Sequence, residues 1–87
     1  MDWLLERRAE VVDHHVRFLA RWQGRQRHVF VATALVERLA GGPLNRADAA
    51  AYVEHHALRF VEAAHRREDE DAPGCVVIAL EDESDLA

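Results

Sequence analysis

An α+β fold is what this chain of 87 residues predicts: a small antiparallel sheet, formed by a β-hairpin and a C-terminal strand, packed against one long and one short helix. Three stretches carry that expectation. Two β-rich runs at 16–22 and 25–31 flank Gln23-Gly24. Apolar residues recur at helical spacing between 45 and 67. CVVIAL, at 75–80, is short, β-branched and continuously apolar, as a buried strand is.

The long helix is the clearest element. Asn45 can accept hydrogen bonds from free backbone amides and so cap its start, and Asp48 suits the positive end of the helix dipole. Val53, Ala57, Phe60, Val61 and Ala64 make one apolar stripe, and Arg66 and Arg67 suit the last turn. The acidic run at 68–71 opposes the dipole there, and Pro73-Gly74 marks a turn before the strand. A shorter helix is expected from Thr33, as N-cap, to Ala40, with Gly41-Gly42 closing it and Pro43 keeping the two helices apart.

Residues 16–31 admit two readings. Leu4, Val11, His15, Phe18 and Trp22 also fit an amphipathic helix ending at Gly24. The hairpin is preferred because CVVIAL needs strand partners and no other segment supplies them. Residues 1–15 stay open between strand and helix. Residues 81–87 read as an acidic, mobile tail, and the whole of 1–87 as one small domain.

The hairpin's register decides what its arginines can do. With a two-residue loop at Gln23-Gly24, Arg25 and Arg27 share a face with Val16, Phe18, Val29 and Val31, while Arg17 and Arg21 point the other way. With a three-residue loop, Arg17, Arg21, Arg25 and Arg27 line one face. Turn chemistry favours the longer loop, since a type I′ turn forces Gln23 to positive φ. Apolar patterning favours the shorter, which is preferred; Trp22 would then stack on Arg25, a contact worth about 0.5–1 kcal/mol when exposed. Arg17, Arg21, Trp22, Arg25 and Arg27 are therefore the candidate interaction or anion-binding residues.

The order of these elements resembles a small bacterial family, domain of unknown function 1488. RWQGRQRHVFV, ATALVERLAGG, FVEAAHRR and GCVVIALEDE carry the likeness, over residues 16 to about 83. The resemblance implies an α+β fold and no activity. The first fifteen residues lie outside it.

Composition narrows the function. About half the residues are apolar and a third charged, as in globular domains, and no apolar run approaches a membrane span. With no signal-like segment and a single cysteine, Cys75, the expected location is cytoplasmic. The net charge of −5 disfavours a general nucleic-acid binder. Its distribution is uneven: seven arginines against five acids in 1–40, four against eleven in 41–87.

Catalysis is poorly provisioned. Lysine is absent, Ser84 and Thr33 are the only hydroxyl nucleophiles beside tyrosine, and Cys75 is expected to be buried and inert. His55 and His56 diverge by about 100° on a helix and cannot share an ion, and His65 points to the opposite side from His56. His14 and His15 face opposite ways if extended, which leaves open only a site assembled across elements, such as His15 with His28. No cofactor, metal or catalytic residue is assigned. The expected function is a non-enzymatic accessory or protein-interaction module binding a protein partner or a second copy of itself, without membrane contact. The alternative is nucleic-acid or anion binding by the arginine-bearing hairpin. Apolar residues left on the uncovered side of the sheet, Leu19 and Phe30, or Val29 and Val31 in the other register, are the reason for the first.

Overall fold

The computed structural model describes residues 3–67 and 75–85. The acidic run at 68–71, the turn at 73–74 and residues 86–87 lie outside the described residues.

Three strands come first: β1 (Trp3–Val12), β2 (His15–Trp22) and β3 (Arg25–Ala32). Helices α1 (Thr33–Ala40), α2 (Arg46–His55) and α3 (Ala57–Arg66) follow, then strand β4 (Cys75–Ile78) and a 3-10 helix, Leu80–Asp85. The α+β class holds: one sheet, ordered β1-β2-β3-β4, carries the three helices on one face.

The hairpin has the two-residue register. Trp22 pairs with Arg25 and Ala20 with Arg27. Gln23 and Gly24 adopt φ of 55° and 74°, so the type I′ conformation that Gln23 disfavours is nevertheless taken. Pattern outweighs turn chemistry here. One strained residue costs about 1–2 kcal/mol, whereas a slipped register would expose the apolar set Val16, Phe18, Val29 and Val31.

The ambiguous start of the chain is strand. Trp3 pairs with Trp22 and Val12 with His15 across a two-residue turn, where Asp13 takes a φ of 56°. The register shifts between Leu5 and Arg7 and again between Arg7 and Glu10. Such bulges bend a strand and increase its twist.

Four expectations need correction. The sheet is mixed, not wholly antiparallel, because β4 runs parallel to β3, with His28 beside Cys75 and Val31 beside Ile78. A parallel neighbour needs a crossover, and the three helices provide it: α3 returns the chain to the end of the sheet where β3 begins. The long helix is two helices, broken at His56 (φ −113°, ψ 26°). A straight rod could not do both of its jobs, since α2 lies along β1 while α3 packs on β3 and β4. Thr33 does not cap α1. Its amide and hydroxyl both donate to the His14 carbonyl, tying the helix start to the β1–β2 turn. Finally, the described part of the tail is ordered as the 3-10 helix, where Glu83 pairs with Arg38 of α1 at 2.9 Å.

Other local expectations stand. Asn45 accepts from the Asp48 amide at 2.8 Å, and Gly41, at φ 87°, closes α1 with its amide on the Glu37 carbonyl. Val53, Ala57, Phe60, Val61 and Ala64 are all buried, and all but Ala57 share one core cluster with Val16, Phe18, Trp22, Val29, Val31, Val76 and Ile78 of the sheet.

Candidate interaction surface

Strand alternation sends β2 and β3 side chains to two different worlds. Val16, Phe18, Ala20 and Trp22 point under the helices, as do Arg27, Val29 and Val31. His15, Arg17, Leu19 and Arg21 point to the opposite face, with Gln26, His28 and Phe30. Among the described residues, that second face has no helical layer over it. Leu4 (60% exposed), Val12 and Val77 (46%) stand on it with the half-buried Leu19 and Phe30. His15 meets the Phe30 ring edge-on at 6.4 Å, and Arg17 donates to Glu10 across the β1–β2 pair.

The five sequence-selected residues are not brought together. Arg17 and Arg21 lie on the uncovered face, Arg25 sits exposed at the hairpin tip, and Trp22 and Arg27 are buried beneath the helices. The cation over Trp22 is Arg27, with its guanidinium carbon 4.4 Å from the ring centroid, and not the expected Arg25. Arg25 lies directly opposite Trp22 at the very end of the ladder, where its side chain has solvent beside it. Arg27 lies opposite Ala20, whose methyl leaves room for a long side chain to reach diagonally over the indole.

Burying a guanidinium is costly unless its N–H groups are used. Arg27 is 2% exposed, and its Nη1 donates to the carbonyls of Trp22 and Arg25, which bracket the turn. This arginine therefore holds the hairpin tip closed from below. Beside it, His65 of α3 meets Trp22 edge-on at 6.3 Å. Trp22 Nε1 and His65 Nδ1 are both buried without a hydrogen-bond partner among the described residues. An open cleft outside this cluster is lined by Trp3, Leu4, Arg21, Trp22, Gln23 and Gly24.

Cys75 is exposed at the start of β4, contrary to the buried position expected of an apolar strand. The reason is topological: β4 is an edge strand, and Cys75 points to the uncovered face. His15 and His28, which could have met across elements, pair with Ala32 and Leu19 and are four positions apart along the hairpin. His55 and His56 have ring centroids 5.2 Å apart, with Tyr52 4.4 Å from His56. Burial, then His55, then Arg59 hold the His56 imidazole below the ordinary histidine value of 6.5. Among the described residues, no group of three or more His, Cys, Asp and Glu side chains is placed to hold a metal ion. None of the described helices is long and apolar enough to cross a membrane.

Sequence reasoning singled out Leu19 and Phe30 but passed over Leu4, Val12 and Val77. The alternation of β2 propagated through the strand pairs places all three on the same face, with Val77 directly beside Phe30, once β1 is known to be a strand and β4 to be parallel.

The fold is similar to that of a solved protein of unknown function from the domain of unknown function 1488 family of Shewanella loihica. The two share 17% sequence identity at a TM-score of 0.68, over 90% of this chain and 94% of that one. The chain thus has a domain of unknown function 1488-like fold, as its sequence resemblance implied. No family profile and no curated protein matches the chain.

Proposed function

We propose that this chain is a non-enzymatic interaction module of the bacterial cytoplasm, docking a protein partner on the uncovered face of its sheet. One observation carries the reading: Leu4, Val12 and Val77 stand exposed on the same sheet face as Leu19 and Phe30, a face that no other described element covers. Apolar groups gathered on one exposed face mark contact sites on soluble proteins. The sequence offers no lysine and few hydroxyl nucleophiles, which supports a binding role over a catalytic one.

The anion-binding alternative draws less support from the geometry. It needs Arg17, Arg21, Arg25 and Arg27 on one surface, and Arg27 is buried while the other three divide between face and tip.

Affinity capture of the tagged chain from native bacterial lysate, with and without nuclease, tests the two. A stoichiometric protein that survives nuclease, and is lost from the Leu19→Asp and Phe30→Ser variants, is the expected result. Recovery that vanishes with nuclease, or in Arg17→Gln/Arg21→Gln/Arg25→Gln alone, would move the function to phosphate recognition.

A further inference from the structure

The two edges of the sheet are built differently. β1 is guarded: two register shifts break its ladder, charged residues run through it, and Glu54 of α2 accepts from the Ala9 amide at 2.9 Å and from Arg8 at 3.3 Å. These are devices that stop an edge from recruiting another strand. β4 has none of them. Its residues, Cys-Val-Val-Ile, include no charge, proline or glycine, its register against β3 is unbroken, and no described strand lies on its other side.

We infer that β4 is a self-association edge, pairing antiparallel with β4 of a second copy about a two-fold axis. The reading goes beyond the docking face and does not require it. A second copy is the occupant that fits because the contact is self-complementary. An uncharged apolar strand meets an identical one, and no like charges face each other within the ladder. A two-fold axis normal to the sheet keeps the helices of both copies on one side. It sets Val77 beside the partner's Val77 or, one register away, diagonal to it, always on the uncovered face. Val77 is 46% exposed and Leu80 43%, and each would come to the junction twice, adding apolar area to a short ladder. The result is a continuous eight-stranded sheet presenting two uncovered faces side by side.

Charge makes the association distinctive. Each copy carries a net charge of −5, so two copies repel at long range. Added salt therefore strengthens this contact, whereas it would weaken an arginine–phosphate contact.

Sedimentation velocity of the purified full chain over a range of concentrations and salt is the test. The expected result is a concentration-dependent doubling of mass that grows with salt. Val77→Lys and Val77→Glu should each remain monomeric with unchanged circular dichroism, and their equimolar mixture should recover the doubled mass. Should the charged variants misfold, Cys75→Ser/Val77→Cys gives a second reading: oxidation should link it into a covalent dimer, while Cys75→Ser/Leu4→Cys, on the guarded side, should stay single. A monomer at every concentration would overturn the inference. So would a dimer that survives both Val77 charges, or one lost in Phe30→Ser but not in the Val77 variants, which would place the contact on the open face. Because no other protein is present, failure here leaves the capture result standing, and the reverse is also true.

Discussion

Phe18 and Leu19 are neighbours on β2, yet they belong to different surfaces. Phe18 is 1% exposed beneath the helices, and Leu19 is half-buried on a face that no other described element covers. Burial of the first face drives folding at roughly 25 cal/mol per Å² of apolar surface. The second face was spared the helices and so keeps apolar groups available for a partner. One residue of register would exchange the two sets, which is why the strained Gln23 turn is tolerated.

The contrast can be broken from the covered side with the largest effect. Phe60→Ala, which empties the centre of the α3 contact, should cost about 3–5 kcal/mol in chemical denaturation. Arg27→Met comes next. It keeps much of the stem's volume but removes the donors to the Trp22 and Arg25 carbonyls and the cation over the indole. A loss of about 2 kcal/mol is expected, with a changed Trp22 fluorescence maximum reporting a loosened hairpin tip. An equal loss in Arg25→Met would show that the tip, and not the buried stack, is what matters.

At the turn, Gly24→Ala should cost about 1 kcal/mol, since Gly24 has φ 74° with open space around it and strain is the only penalty. Gln23→Asn should gain up to about 1 kcal/mol by supplying the residue this turn prefers. Phe30→Ser, on the uncovered face, should move stability by under about 1 kcal/mol while abolishing partner capture; a core-sized loss would show that this face is covered after all.

The smallest effect is a pH dependence. His56 titrates below 6.5 in the folded chain, so the fold favours its neutral form. The stability it supports is complete above about 6.5 and is lost as pH falls through that value toward the lowered folded pKa. His56→Gln should flatten the melting-temperature profile below pH 6.5 and leave it unchanged at pH 8. An unchanged acid limb would show that another group governs it.

The sequence determined what local pattern can determine. Asn45 declared a helix start, Gly41 a helix end, and the stripe from Val53 to Ala64 a buried face, because caps and helical periodicity act within a few residues. The hairpin's register was legible too, since alternation over two eight-residue strands outweighs one turn residue. Of the candidate site, Leu19 and Phe30 followed from that alternation, and so did the division of Arg17 and Arg21 from Arg25 and Arg27 between the two faces.

Tertiary structure decided the rest, for reasons that lie outside any short window. Whether residues 3–12 became strand or helix depended on β2 offering an edge. The break at His56 depended on α2 and α3 packing over opposite ends of the same sheet face, α2 along β1 and α3 on β3 and β4. The direction of β4 depended on where α3 released the chain, while its place at the end of the strand order made it an edge and its register against β3 turned Cys75 and Val77 to the uncovered face. Arg27 shows the limit most sharply: nothing in RQRHVFV distinguishes it from Arg25, and only Ala20 across the ladder gives it room to lie over Trp22. Local patterning chooses which residues face inward; what they meet there, and what is left facing outward, is set by contacts between segments far apart in the chain.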